Sequence, residues 1–231
     1  MSFLQLGHEV KLVIFDMDGT MLDTEPIFLR GWKAAIQEQK LNISQELFEN
    51  TFNSIVGTNR ENCQRVINKM MPEFDIEKGY HFCDNYKQEY IAANGVPIKA
   101  GLFKLLDELE SKGIKKCVAT STGRETATQK LQLANILHRF HTIVGGDEVS
   151  ESKPSPEIFL KAAALCDTLP ENCLVLEDSA AGTLGAYRAG MRVITIPDIL
   201  PASDETRAIA TAVVQSLDDV LPLIIAFGGK S

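Results

Sequence analysis

Two aspartates, Asp16 and Asp18, form the most chemically informative pair in the sequence and lie within the segment DMDGT. A spacing of two places both carboxylates on the same side of an extended backbone, and Gly19 permits a tight turn close to a ligand. A pair of solvated acids in a turn is the ordinary alternative. A calcium-binding EF-hand loop places its glycine further from its first acid, so the spacing excludes that kind of site. The pair therefore indicates two acidic groups that share one small target.

Hydroxyl groups and a lysine occur in two other polar segments of the chain. Thr120, Ser121 and Thr122 follow an apolar run, and with their backbone N–H groups they could hold phosphate oxygens. Lys153 lies in the segment SKPSP, whose two prolines restrict the backbone and could aim the ammonium group consistently. Taken singly, the first segment is equally typical of a polar loop and the second of a solvated surface lysine.

Two adjacent acids, Glu177 and Asp178, end a further apolar run. Carboxylates are hard oxygen ligands, and Mg²⁺ keeps several of its waters, so one or two protein carboxylates are enough to hold it. Open parallel sheets place their ligand crevices at the carboxyl ends of their strands. These two adjacent acids are therefore suited to a Mg²⁺ ion at that edge of a sheet.

Short apolar runs that end in polar or glycine residues alternate with helical patterns. We predict buried parallel strands at Leu12–Asp16, Lys116–Ser121, Thr142–Gly146, Cys173–Asp178, Arg192–Pro197 and Ala212–Gln215. One helical face is formed by four leucines, Leu102, Leu105, Leu106 and Leu109, and Gly113 can end that helix. Ser155 as an N-cap followed by Pro156 predicts the start of another helix. The alternation predicts an α/β fold with a doubly wound, Rossmann-like parallel sheet.

The stretch 25–93 interrupts this alternation directly after the first strand. It is rich in helix formers and has no clear buried strand, so it predicts an inserted helical cap domain. The core domain then comprises residues 1–24 and 94–231. Pro26 and the segment Asn94–Pro97 are the predicted hinges, because proline and glycine punctuate regular elements.

Composition excludes several functional classes. The 31 acidic and 23 basic side chains give a formal net charge of −8, which opposes binding to nucleic acid and to anionic lipid. The chain shows no signal peptide and no apolar stretch of membrane-spanning length. Its five cysteines form no CxxC pair, so neither a disulfide framework nor a zinc site is indicated. We therefore expect a cytoplasmic protein, and we expect it to be a monomer.

In their order along the chain, the four polar segments resemble the motifs of the haloacid dehalogenase superfamily of phosphotransferases, in the subgroup with a helical cap. The resemblance covers almost the whole chain and rests on DMDGT, a strand that ends in Thr120, Lys153 of SKPSPEIF, and the acids of VLEDSAAG. It implies that Asp16 is the nucleophile and forms an aspartyl phosphate. It implies that Asp18 is the general acid and base.

The same resemblance assigns the remaining polar groups. Thr120 and Lys153 would bind the transferred phosphoryl group, with Ser121 and Thr122 as further substrate contacts. The implied Mg²⁺ ligands are Asp16, the backbone carbonyl of Asp18, and Asp178, with Glu177 assisting. These roles agree with the charge of the phosphoryl group, which a lysine and a metal ion stabilise in the transition state.

Three functions remain open at this point. The first is a phosphatase for a small phosphorylated metabolite, either a sugar phosphate or a nucleotide-like monophosphate. The second is a sugar-phosphate mutase, because Arg60, which follows Gly57, resembles the cap-loop arginine that contacts substrate in β-phosphoglucomutases. A solvated arginine at the start of a helix is the equal alternative for Arg60. The third is a phosphate-binding protein without activity. The presence of Asp18 argues against dehalogenase and phosphonoacetaldehyde hydrolase activity. The β-phosphoglucomutases carry a histidine and a lysine where alignment places Phe28 and Phe82, so we expect the phosphatase.

Overall fold

The structure is a computed structural model that describes residues 9–55 and 60–228. The chain divides into two compact units. The core unit comprises Met1–Asp23 and Ile98–Ser231, and the helical unit comprises Thr24–Pro97. Within the described residues, no helix combines the length and the apolar character that crossing a membrane requires.

A six-stranded parallel sheet runs through the core unit. Its strands are β1 (Leu12–Phe15), β2 (Lys115–Ala119), β3 (Ile143–Val144), β4 (Cys173–Glu177), β5 (Arg192–Thr195) and β6 (Ala212–Val213). The spatial order β3-β2-β1-β4-β5-β6 is that of a doubly wound Rossmann-like sheet. Every residue of β1 and β4 is buried, as expected for central strands that are covered on both faces. The predicted fold class is confirmed.

The strands are shorter than the apolar runs predict. β2 ends at Ala119 instead of Ser121, because the Thr120 hydroxyl accepts the Thr122 N–H at 3.1 Å and turns the backbone. β3 has only two residues and is followed by a 3₁₀ turn at Gly146–Glu148. β5 stops at Thr195, two residues before Pro197, which has no N–H for a ladder.

In the helical unit, the part of the chain that the structure describes forms four helices around an aromatic centre. They are α1 (Glu25–Glu38), α2 (Gln45–Ile55), α3 (Arg60–Met70) and α4 (Ile76–Asn94). The Trp32 ring is almost fully buried and contacts the rings of Phe74 and Tyr80, with centroid distances of 5.5 and 5.4 Å. Aromatic rings bury large apolar areas, so Trp32 contributes to the packing of this unit.

The described residues of the core unit form six helices. They are α5 (Leu102–Ser111), α6 (Arg124–Leu133), α7 (Glu157–Leu165), α8 (Ala180–Arg188), α9 (Asp204–Ile209) and α10 (Val220–Gly228). The four leucines of α5 are buried, and Gly113 follows the helix with a φ of 66°, as predicted. The predicted N-cap of α7 is wrong by one residue. Ser155 accepts the Glu157 N–H at 3.3 Å, and Pro156 occupies the N-cap position.

The register of the sheet brings the polar segments to one edge. Phe15 of β1 pairs with Val118 of β2 and with Leu176 of β4. The strands are parallel, so the residues that follow these partners emerge at the same carboxyl edge. These residues are the ones predicted to form the site.

An ion-pair network ties α5 to the opposite, amino-terminal end of β2. Glu110 accepts hydrogen bonds from Arg139 at 2.6 and 2.8 Å and from the buried Lys116 at 2.7 Å. These two partners, Arg139 foremost, lower the pKa of Glu110 to about 2 from a usual value of 4.5. A carboxyl with a depressed pKa stabilises the fold above its unfolded pKa and loses that contribution as the pH falls toward its folded pKa.

We therefore expect Glu110→Gln to lower the unfolding temperature at pH 7 and to lose this effect between pH 4.5 and about 2. The measurement is thermal unfolding of wild type and variant across that range. Glu108→Gln is the control, since it removes only the exposed pair with Lys112. A difference between wild type and Glu110→Gln that does not change with pH would contradict the linkage.

Candidate active site

The DMDGT segment turns immediately after β1 and points its first acid into the site. Asp16 donates its backbone N–H to Leu176 O at 2.9 Å, which extends the pairing with β4 by one residue. Gly19 has a φ of 88°, a conformation that residues with a side chain rarely adopt. A Cβ at this position would also collide with the carboxylate of Asp178. The glycine therefore lets the turn and the acidic end of β4 approach each other.

Lys153 connects three strand ends through its ammonium group. Its Nζ donates to Asp16 Oδ1 at 2.6 Å, to Glu177 Oε1 at 2.6 Å and to the carbonyl of Ala119 at 3.2 Å. The side chain is only 6% exposed. Burial lowers the pKa of Lys153, but the charges of Asp16 and Glu177 together outweigh this effect and hold it above its usual range. The lysine is thus a fixed positive charge beside Asp16.

Glu177 is held by both of its oxygens. Oε1 accepts from Lys153, and Oε2 accepts the backbone N–H of Ser179 at 2.9 Å and its hydroxyl at 2.8 Å. The same hydroxyl accepts the N–H of Gly182 and caps α8. Gly182 leaves no room for a Cβ, which would collide with the Glu177 carboxylate. The orientation of this acid is therefore set by the first turn of a helix.

Three acids converge at this edge of the sheet. Ligand oxygens of Asp16, Glu177 and Asp178 all lie within 4.8 Å of one another. Burial raises the pKa of Asp16 to about 7, with Lys153 opposing and Glu177 reinforcing the shift. Burial also raises the pKa of Asp178 well above its usual range, and Glu177 and Asp16 add to it. Three carboxylates face one ammonium, an imbalance that a divalent cation with oxygen ligands would relieve.

A fourth carboxylate borders this cluster. Asp198 follows β5, and its Oδ1 accepts from Lys99 at 2.5 Å, while Lys99 also contacts Asp23 at 2.9 Å. Asp198 Oδ2 is buried and has no hydrogen-bond partner among the described residues. A Cβ on Gly19 would lie 3.4 Å from this oxygen, so Asp198 faces the same turn as Asp178. A buried acceptor beside three acids is consistent with a hydrated cation, whose waters are donors.

Asp18 points toward α6 and the loop that precedes it. Its Oδ2 accepts the Thr122 hydroxyl at 2.8 Å, and its two oxygens accept from Lys130 Nζ at 2.7 and 2.9 Å. Thr120 is buried directly after β2, where its N–H donates to Val144 O at 3.1 Å. Ser121, between the two threonines, is exposed. The second aspartate thus has a cation of its own, distinct from Lys153.

The predicted residues of the four motifs meet at one edge of the sheet. Lys153 contacts Asp16 and Glu177, Thr122 contacts Asp18, and Asp178 closes the acidic cluster. Their chemical roles stay predictions. Gly57 lies outside the described residues, and so does the side chain of Arg60, the first residue of α3.

Sequence reasoning missed three charged residues that border the site. Lys130, Lys99 and Asp198 belong to none of the motifs. Lys130 lies on α6 between the buried Ala127 and Leu131. Residues three or four apart lie on the same helix face, so the place of Lys130 beside two apolar positions was the sequence signal that its side chain turns toward the core. Lys99 and Asp198 are 99 residues apart, and no local pattern connects them.

Comparisons with known proteins show which family this chain matches. Residues 13–196 match the family described as haloacid dehalogenase-like hydrolase. A phosphorylated carbohydrates phosphatase of Thermotoga maritima is 26% identical over 185 residues, which cover 80% of this chain and 84% of the relative. A probable pseudouridine-5'-phosphatase of Drosophila melanogaster is 29% identical over 226 residues, with 93% of each chain covered.

A solved structure, a putative β-phosphoglucomutase from Thermotoga maritima, superposes with a TM-score of 0.79 at 25% identity. The alignment covers 94% of this chain and 99% of that protein. The similarity therefore extends over the helical insertion as well as the sheet.

We expect Gly19→Ala to destabilise the protein more than Gly190→Ala does. Both glycines have positive φ, a conformation that costs a residue with a Cβ about 1–2 kcal/mol. A Cβ at Gly19 would also collide with Asp178, whereas nothing lies within 4 Å of a Cβ at Gly190. Thermal unfolding with and without Mg²⁺ measures the destabilisation by each substitution and the shift that Mg²⁺ causes. Mg²⁺ should raise the unfolding temperature of wild type and of Gly190→Ala, and this rise should be lost in Gly19→Ala. Equal destabilisation and equal Mg²⁺ shifts in the two variants would show that the approach to Asp178 is unimportant.

Proposed function

The chain belongs to the haloacid dehalogenase-like hydrolase family, and on this premise we propose that it hydrolyses a small phosphate monoester through an aspartyl phosphate on Asp16, with Mg²⁺ as its cofactor. Two of its relatives are named as phosphatases, one of phosphorylated carbohydrates and one of pseudouridine 5'-phosphate. The proposed substrate class is accordingly a sugar phosphate or a nucleotide-like monophosphate.

The proposal rests on one observation. A buried carboxylate, Asp16, lies between a lysine at 2.6 Å and two further acids at the carboxyl edge of the sheet. A nucleophile needs an exposed lone pair and nearby positive charge for the phosphoryl oxygens. Lys153 supplies that charge from the side of Oδ1, and DMDGT presents Asp16 at the strand end.

In the first step, a carboxylate oxygen of Asp16 attacks phosphorus, and the bond from phosphorus to the leaving oxygen breaks. Asp18 donates a proton to that oxygen, so the product leaves as an alcohol. Lys153 stabilises the charge on the phosphoryl oxygens, and the hydroxyl of Thr120 is the proposed further donor. Asp16 then carries the phosphoryl group as an acyl phosphate.

In the second step, water attacks the phosphorus of the acyl phosphate. Asp18, now ionised, accepts a proton from this water, and the bond between phosphorus and the Asp16 oxygen breaks. Inorganic phosphate leaves, and both aspartates return to their initial states. The spacing of two residues suits this division of work, because Asp16 bonds to the phosphorus while Asp18 exchanges protons with the leaving oxygen and then with the attacking water.

Asp16, Asp178 and the backbone carbonyl of Asp18 are the proposed Mg²⁺ ligands, with Glu177 beside them. Bound there, Mg²⁺ would neutralise the acids and the phosphoryl group together. The donor set consists of oxygen atoms alone, as Mg²⁺ prefers.

Two phenylalanines of the helical unit favour hydrolysis over transfer of the phosphoryl group back to a sugar. Phe28 packs against Trp32 and Phe52, with ring centroids 5.8 and 6.0 Å apart, and Phe82 is half-buried on α4. A phenylalanine can neither donate a hydrogen bond to a phosphate nor transfer a proton. A mutase must hold a bisphosphate by its distal group, and these two positions lack the means to do so.

Phosphate release from a panel of sugar phosphates and nucleoside monophosphates, with Mg²⁺ and with chelator, tests the proposal. We expect at least one of these monoesters to be hydrolysed in the presence of Mg²⁺. Asp16→Asn should lower this turnover by about 10³-fold or more, since the amide is nearly isosteric but is not a nucleophile. Wild-type rates in this variant would exclude Asp16 as the nucleophile.

A second experiment separates phosphatase from mutase. The protein is incubated with β-glucose 1-phosphate, glucose 1,6-bisphosphate and Mg²⁺, and both free phosphate and glucose 6-phosphate are followed. We expect no activation by the bisphosphate and no accumulation of glucose 6-phosphate, because Phe28 and Phe82 cannot bind a distal phosphoryl group. Rapid accumulation of glucose 6-phosphate with little free phosphate would reverse the choice and assign Arg60 to the distal phosphate.

A further inference from the structure

Lys130 makes a two-oxygen contact with Asp18 that the proposed reaction does not yet use. Its Nζ lies 2.7 Å from Oδ1 and 2.9 Å from Oδ2, and the Thr122 hydroxyl donates to Oδ2 at 2.8 Å. The lysine side chain is 13% exposed and that of Asp18 is 26% exposed. Charge-assisted hydrogen bonds of this length are strong and restrict the orientation of the carboxylate.

The helix that carries Lys130 is itself firmly anchored. Ala127 and Leu131, which flank Lys130 on α6, are fully buried. At the start of the helix, Arg124 donates its backbone N–H to Asp147 at 2.8 Å and its guanidinium to the Ile143 carbonyl at 2.9 Å. The ammonium group therefore reaches Asp18 from a backbone that is fixed to the edge of the sheet.

We propose that Lys130 is a positioning residue that holds the Asp18 carboxylate toward the water that attacks the phosphoenzyme. The inference rests on the proposed function, because it takes Asp18 as the group that exchanges protons. Asp18 sits on a turn, and a side chain there has several rotamers available. Lys130 and Thr122 select one of them, and a misplacement of about 1 Å in a reacting group can cost about 10²-fold in rate.

Stability alone gives a weak reason for this ion pair. Desolvation of two charges offsets much of their attraction, so a partly buried pair adds little net stability. Asp18 is a quarter exposed and keeps its hydrogen bond from Thr122, so water can solvate it when the lysine is removed. We therefore expect the loss of Lys130 to alter rate more than folding.

The test uses 4-nitrophenyl phosphate, whose leaving group departs as an anion and needs no proton. Formation of the phosphoenzyme then proceeds without Asp18, whereas its hydrolysis still requires Asp18 as a base. In Lys130→Met, the burst of nitrophenolate should keep its wild-type rate and kcat/KM should be unchanged, whereas KM should fall together with kcat. Steady-state phosphate release should fall about 10- to 100-fold, so that acid-stable acyl phosphate accumulates on the protein.

Three variants complete the design. Lys130→Arg, whose planar guanidinium matches a carboxylate, should restore part of the steady-state rate. Lys112→Met removes a paired lysine at the end of α5, away from the site, and should leave both phases unchanged. Asp18→Asn should reproduce the slow second phase of Lys130→Met. Unfolding temperatures of all variants are measured alongside.

The outcomes separate the inference from the proposed function. Wild-type steady-state turnover in Lys130→Met, while Asp16→Asn and Asp18→Asn are impaired, overturns the role of Lys130 alone. So does an equal loss in both phases that follows a lower unfolding temperature. If wild type and Asp16→Asn release nitrophenolate equally slowly, or if Asp18→Asn hydrolyses its phosphoenzyme normally, the proposed function itself fails.

Discussion

The rest of the site depends on the repulsion among three acids at the carboxyl edge of the sheet. Oxygens of Asp16, Glu177 and Asp178 lie within 4.8 Å of one another, and the burial of Asp16 and Glu177 removes much of the water that would screen these charges. Lys153 offsets part of this charge through ion pairs of 2.6 Å to two of the three acids. Burial, and after it the neighbouring acids, raises the pKa of Asp16 and of Asp178, and the remaining negative charge makes the cluster suited to a cation.

Several local features of the fold hold the acids together against this repulsion. Parallel strands of matched register bring three chain segments to one edge, although Lys115 and Cys173, the partners of Leu12, lie 103 and 161 residues after it. Gly19 and Gly182 have no side chain at two positions where a Cβ would collide with a carboxylate of the cluster. The Ser179 hydroxyl both caps α8 and holds Glu177. Each of these features holds an acid at a position that the repulsion among the acids disfavours.

The two aspartates of DMDGT have separate electrostatic surroundings. Asp16 is buried beside Lys153, and Asp18 is partly exposed beside Lys130 and Thr122. The two acids have different tasks in the proposed reaction, because Asp16 presents an oxygen to phosphorus and Asp18 exchanges protons with the leaving group and with water. In the proposed reaction, this division lets two acids only two residues apart perform different tasks on one phosphoryl group.

The sequence alone determined the fold class and the convergence of the four motifs. Apolar runs of strand length, each followed by polar residues, predict buried parallel strands, and parallel strands necessarily present their carboxyl ends at one edge. Strand ends were less well predicted, as at Ser121 and Pro197, because hydrogen bonds of the following turn decide where a ladder stops. Only the tertiary structure placed Lys130 on Asp18 and Asp198 beside Asp178, since these contacts join positions with no common period or motif. Short-range patterns determine which elements form, whereas the packing of α6 and the path of the chain after β5 decide which distant charges meet at the edge of the sheet.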